Sequence, residues 1–175
     1  DLISKDVNNY DEVPDSLFFT NRQGRSALGS SALKNGPALD GQGSPQAGAW
    51  KVLKGKSAGV NRGMFIEDGR GERYLVKFDP MENNELASAA ESISSRVFYA
   101  AGYNVPEYHV VYFKREDLTA QPNATYYADS GFKKPLEGSG IDEILSEVPQ
   151  LADGRYRASA SRLLKGDVLG RDNVK

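Results

Sequence analysis

The sequence predicts an α+β domain in which a twisted antiparallel sheet of about five strands packs on one long helix. Three features point there. Short runs rich in β-branched and aromatic residues recur between Gly- and Asp-containing turns, as strands do. One segment, ELASAAESISSRVFYAAG (85–102), instead repeats its apolar residues at spacings of three and four, the helical period. The first 49 residues are rich in Asn, Ser, Gly, Pro and Asp and carry neither period. The expected division is therefore a largely irregular N-terminal arm over 1–49 and a folded domain over 50–175.

Each element can be justified in order. Within the arm, GPALDGQGSPQAGA (36–49) reads as loop, but VPDSLFFTNR (13–22) holds Leu17, Phe18 and Phe19, which need burial. That piece is expected to dock the arm onto the domain. WKVL (50–53), MFIED (64–68) and ERYLVKF (72–78) form a three-stranded antiparallel meander. The Gly-rich KGKSAGVNRG (54–63) joins the first pair, and DGRG (68–71) supplies a hairpin turn with glycine available for positive φ. DPMENN (79–84) leads into the helix, with Asn83 or Asn84 as N-cap and Glu85 in the first turn, where a carboxylate suits the helix dipole. Leu86, Ala90, Ile93, Val97 and Ala101 make its apolar stripe, and Gly102 ends it. YNVPEYHVVYF (103–113) is a loop and a fourth strand, and 114–140 reads as loop with short pieces of structure. IDEILSEV (141–148) is a short helix stopped by Pro149, RYRASASRLL (155–164) a fifth strand and GDVLGRDNVK (166–175) a tail.

Composition removes several functions. The net charge is −2 with both signs interspersed, so there is no basic stripe for nucleic acid. There is no cysteine, which excludes disulfides, thiol catalysis and Cys-ligated zinc. His109 is the single histidine, so a multi-histidine metal site is impossible. No stretch approaches the roughly 18 apolar residues of a membrane helix. The chain opens on Asp1 rather than Met, as expected for a processed product or a piece of a longer protein.

The chemistry concentrates around YLVKFD (74–79). In a strand, Tyr74, Val76 and Phe78 share one face, and Lys77 points to the other. If the helix stripe covers the Tyr74 face, Lys77 points away from the helix, toward the surface under the Gly-rich connection. Gly55, Gly59 and Gly63 in or beside that connection let backbone approach an anion. The spacing is not that of a P-loop, since Trp50 stands where its first glycine is needed, and it is not a G-x-G-x-x-G fingerprint. Two helix glutamates compete as partner for Lys77. At 100° per residue, Glu91 falls roughly 140° from the stripe centre and Glu85 roughly 100°, so Glu85 on the flank is the expected partner and Glu91 is expected in solvent. From the residues alone, a strand lysine with its head in water beside a capping-region carboxylate is the competing reading. His109 reads as structural, Asp68, Asp79 and Asp129 as turn residues, and Arg155 with Arg157 as an anion site or a solvated edge. No catalytic residue stands out.

The order of parts resembles the HipA-like serine/threonine kinases. The features are Lys77 on a strand, Asn84–Glu85 opening a helix, Gly102 ending it and Val105-Pro106-Glu107 leading into the next strand, over roughly residues 50–113. The chain also looks like a group of uncharacterised bacterial proteins related to such kinases. The resemblance implies the small ATP-binding lobe of a protein-kinase-like fold. Lys77 would contact the phosphates of ATP bound with Mg, Glu85 would position Lys77 or the metal, the 54–63 connection would cover the nucleotide, and 155–164 would lead toward a hinge. Kinase-like enzymes carry their catalytic Asp, Asn and metal-binding Asp in a second lobe, and no H-R-D-like or D-F-G-like segment is present here. The expectation is a nucleotide-binding fragment, inactive alone and partnered by a missing C-terminal lobe. The alternative is a non-catalytic module that keeps the lobe fold and binds another protein.

Overall fold

The computed structural model describes residues 14–22, 27–37, 43–55, 61–128 and 130–164. Gly59, Asp129, residue 13 and the tail 166–175 lie outside the described residues. The architecture is α+β. Its strands are β1 (Trp50–Gly55), β2 (Gly63–Glu67), β3 (Arg73–Phe78), β4 (Tyr108–Phe113), β5 (Leu118–Ala120), β6 (Thr125–Tyr127), β7 (Lys133–Pro135) and β8 (Tyr156–Arg162). Three α-helices are present among the described residues: α1 (Ser30–Asn35), α2 (Leu86–Ala100) and α3 (Gly138–Leu145). The main sheet has six strands in the order β4-β8-β3-β2-β1-β5, and β6 and β7 form a separate hairpin.

The expected five strands are all there, but the sheet is mixed rather than antiparallel. β5 joins the edge by pairing parallel to β1, Trp50 opposite Leu118. Three residues carry no readable period, so this strand is set by its neighbour and not by its own pattern. α1 also interrupts an arm that the sequence leaves irregular. The β2–β3 turn forms as its glycines suggest: the Gly71 N–H donates to the Asp68 carbonyl at 3.0 Å, and Gly71 has φ of 78°.

Strand alternation gives the sheet two unlike faces. Trp50, Val52, Met64, Ile66, Tyr74, Val76, Phe78, Ala158 and Ala160 are buried on one. They form a single apolar cluster with Phe113, Leu118, Tyr126 and, from α3, Ile141, Ile144 and Leu145. The other face carries Lys77, Ser159 and Arg157, placed together because Lys77 pairs with Ser159 across β3–β8. The long helix lies on this second, polar face, against expectation. Its buried residues are Ser88 and Ser95, while Leu86, Ile93 and Val97 of the apolar stripe are 62%, 62% and 60% exposed. The helix is rotated by about half a turn from the predicted orientation. The physical reason is that α3 and the segments before it already cover the apolar face. A polar face with an ammonium and a guanidinium needs acceptors, and leaving those buried and unpaired costs more than leaving a leucine in water.

Caps fix both ends of α2. Asn83 and Asn84 are not its N-cap: Met81–Asn83 form a 3-10 turn, and Glu85 occupies the cap position with φ of 71°. The capping acceptor comes from outside the helix. Asp79, just past β3, takes the Ser88 N–H at 2.7 Å and the Ser88 hydroxyl at 2.6 Å. At the C-terminus, Tyr103 N–H donates to the Phe98 carbonyl at 2.9 Å and Gly102 N–H to Tyr99 at 3.0 Å, a Schellman motif with Gly102 at φ of 110°. Segment 14–22 docks on this same end. Thr20 N–H donates to the Gly102 carbonyl at 2.7 Å, and the Phe19 ring meets Tyr103 edge-on at 5.7 Å. Phe19 alone makes the apolar contact, since Leu17 and Phe18 remain 90% and 75% exposed.

Candidate functional site

The site is built where β2, β3 and β8 face α2. Lys77 lies between two cross-strand neighbours, Gly63 on β2 and Ser159 on β8. Its ammonium forms an ion pair with one carboxylate oxygen of Glu91, and the Ser159 hydroxyl donates to the other. The pair is about three-quarters buried, with side-chain exposures of 23% and 24%. The Tyr108 ring lies 5.7 Å from the Lys77 ammonium. A lysine so placed is paired with Glu91 and still has N–H donors for a further acceptor. Gly63, directly across the strand, puts no side chain beside the ammonium and is itself buried.

Glu91, not Glu85, is thus the partner of Lys77. Glu85 sits at the helix start in left-handed backbone and is exposed. The helical wheel does not apply to Glu85, which lies outside the helix, and the stripe faces opposite to the expected side. A second pattern in the sequence carries the right answer. Ser88, Glu91 and Ser95 recur at spacings of three and four, a small polar stripe that turns out to be the buried one.

The glycines have separate roles. Gly63 lies directly across the strand from Lys77. Gly55 ends β1 against Tyr126, and a Cβ there would lie 2.6 Å from the Tyr126 Cβ. Beyond Gly63 the same face becomes less polar. Phe65 pairs with Leu75 across β2–β3, both half-buried, and the Lys54 ammonium lies 4.5 Å from the centre of the Phe65 ring.

Two further polar clusters are structural. Arg157, 10% exposed, donates to Asp79 at 3.2 Å and to the Ser88 hydroxyl, so β3, β8 and α2 are tied at one point. Arg157 is therefore no half of an anion site with Arg155. Arg155 pairs with Asp153 at 2.7 Å and lies over the Tyr112 ring at 5.0 Å. The second cluster surrounds Asp68 in the β2–β3 turn. Its carboxylate accepts from the N–H groups of Gln46, Arg70 and Glu72 at 2.9, 2.9 and 3.0 Å, and from the Arg70 guanidinium. Burial pushes the Asp68 carboxyl up, but the Gln46 N–H, the Arg70 side chain and the two turn N–H groups outweigh it and hold the carboxyl below its ordinary value. Arg70 continues to the Ser44 carbonyl at 2.6 Å and the Tyr74 hydroxyl at 3.0 Å. His109 lies 3.4 Å from Glu107, half-buried in β4.

A groove of about 600 Å³ runs between residues 118–124 and 135–141. Glu137 is the one ionisable side chain in its lining, so it offers no cation to a phosphate. Among the described residues, no three of His, Asp and Glu converge as a cation site, and no helix is long and apolar enough to cross a membrane. Comparison with family models, with curated proteins and with solved structures returns no match.

Proposed function

We propose that this chain is the ATP-binding lobe of a HipA-like, kinase-related protein of the phosphotransferase class. The observation that carries the reading is the part-buried Lys77–Glu91 ion pair, with a glycine directly across the strand from the lysine. Lys77 donates to nucleotide phosphate oxygens as a compact charge, and Glu91, held by Ser159, aims it. The Phe65–Leu75 surface beyond Gly63 takes the base, and residues 56–60 of the connection expected to cover the phosphates lie outside the described residues. Bound ATP supplies the transferable phosphoryl group. The chain's own residues bind and orient it, and by the kinase resemblance the base for the acceptor hydroxyl would come from a second lobe. By the same resemblance, the magnesium that accompanies ATP would take its protein ligands, and the transfer step its catalytic groups, from that second lobe. Binding by this lobe alone is weak for the same reason.

The test is a titration with Mg-ATP followed by amide resonances. At about 10 mM ATP, above the millimolar range that corresponds to some 4 kcal/mol of binding, Gly63, Lys77 and Glu91 are expected to shift. Adenosine moves them less, and Lys77→Met abolishes the phosphate-dependent part. Unmoved amides, or equal shifts in Lys77→Met, would falsify the reading.

A second reading is a non-catalytic interaction module on the same lobe. The outward apolar face of α2 favours it, with Leu86, Ile93 and Val97 each about 60% exposed. Such a module leaves the ATP titration silent.

A further inference from the structure

We infer that the outward face of α2 is a self-association surface, on which a second copy of this chain docks as an antiparallel helix pair. The first ground is charge. Only two residues of α2 are ionised, Glu91 and Arg96, and both turn away from that face. Glu91 holds Lys77 and Ser159. Arg96 donates to the Ser92 carbonyl at 2.6 Å and the Lys34 carbonyl at 2.7 Å. What remains outward is Leu86, Ala90, Ile93, Ser94, Val97 and Phe98, all exposed and none charged. A helix that ends its interactions at water carries its charges there. Loss of charge with retention of large apolar side chains is instead the composition of an interface core.

The second ground is self-complementarity. Leu86, Ala90, Ile93 and Val97 follow the four-three-four spacing of a heptad seam. An antiparallel pair centred between Ala90 and Ile93 sets Ile93 of each copy against Ala90 of the other, and Leu86 against Val97. Large meets small at the two central steps, Ile93 against Ala90, where the small residues let the axes approach to about 8 Å, and Leu86 packs on Val97 at either end. The two helix dipoles then oppose, which is favourable. The ends match as well. Glu82 and Glu85 lie exposed at the start of α2. Arg22 lies at its C-terminal end, donating to the Tyr99 and Tyr103 carbonyls at 3.2 and 3.3 Å. Antiparallel docking brings each acidic end to the basic end of the other copy, twice by symmetry.

The third ground is extent. The Tyr103 ring, 49% exposed, meets Phe98 edge-on at 5.8 Å and so continues the band. Leu86, Ile93, Val97, Phe98 and Tyr103 leave on the order of 500 Å² uncovered, near the upper limit for a monomer's largest apolar patch. With the alanines, Ser94 and the helix ends, this approaches the roughly 800 Å² per partner of a standard interface.

Sedimentation velocity from about 1 to about 100 μM, a range that brackets micromolar association, tests the inference. A concentration-dependent dimer is expected. Ile93→Glu and Ala90→Trp each weaken it by at least about tenfold, or about 1.4 kcal/mol, while the far-ultraviolet circular dichroism stays as in the parent because both side chains are exposed. Phe132→Glu, which removes an exposed apolar residue elsewhere (74% exposed), leaves the dimer intact. A chain that stays monomeric at 100 μM overturns the inference and leaves the face to a different protein. A dimer that survives both α2 substitutions also overturns it, since the contact then lies elsewhere.

Discussion

Lys77 occupies a position where an ammonium is tolerated only with company. Glu91 supplies the counter-charge, and Ser159 fills the remaining carboxylate oxygen, so no buried polar atom of the trio lacks a partner, although the ammonium keeps further N–H donors. Removing one member is therefore worse than removing two. Glu91→Ala is expected to lower stability by about 1–3 kcal/mol, the cost of leaving buried donors unmatched. Lys77→Met combined with Glu91→Ala should recover part of that loss. Urea unfolding of the four corners of the double-mutant cycle measures it, and a Glu91→Ala variant as stable as the parent would show that the trio has no structural weight.

α2 is held by its ends and by a polar inner face, and its strongest constraint is Gly102. There the backbone is left-handed, and an added Cβ would lie 2.4 Å from the Phe19 ring and 2.9 Å from the Thr20 carbonyl. Gly102→Ala should cost at least about 1 kcal/mol from the backbone alone. It should also detach segment 14–22, which accelerated proteolytic cleavage in that segment would report. Asp79→Asn acts at the other end. It keeps one acceptor for Ser88 but removes the charge that pairs Arg157, and a loss of about 1–3 kcal/mol is expected from urea unfolding.

Across the whole molecule, Asp68 joins parts distant in sequence: the 44–46 segment, the β2–β3 turn and, through Arg70, the buried Tyr74 hydroxyl. Its carboxyl is held below its ordinary value of 3.8. A carboxylate depressed in the folded state stabilises above the unfolded value, and that contribution is lost as pH falls through the lower folded one. Acid unfolding should therefore include a component below about pH 4, absent from Asp68→Asn. The variant itself should be less stable at pH 7, because four donors face a weaker acceptor. Trp50, the only tryptophan, is 2% exposed and lies 5.2 Å from Phe113, so its fluorescence follows the transition. An identical acid profile in parent and variant would exclude Asp68 as the titrating group.

The sequence by itself determined the strands of the meander, the long helix with its glycine stop and the fourth and fifth strands, because each carries its own period or turn chemistry; the short helix exists too, but runs Gly138–Leu145 rather than 141–148 and ends short of Pro149. It also marked Lys77, since alternation makes a lysine in an apolar strand visible. Only the tertiary structure decided which side of α2 faces inward. Periodicity locates a stripe on a helix, but the choice of side depends on what covers the other face of the sheet, and α3 had already taken the apolar one. That choice replaced Glu85 by Glu91 as the partner of Lys77 and turned Leu86, Ile93 and Val97 outward. The parallel edge strand β5 was decided the same way, by the open hydrogen-bonding edge of β1 and not by three residues of its own.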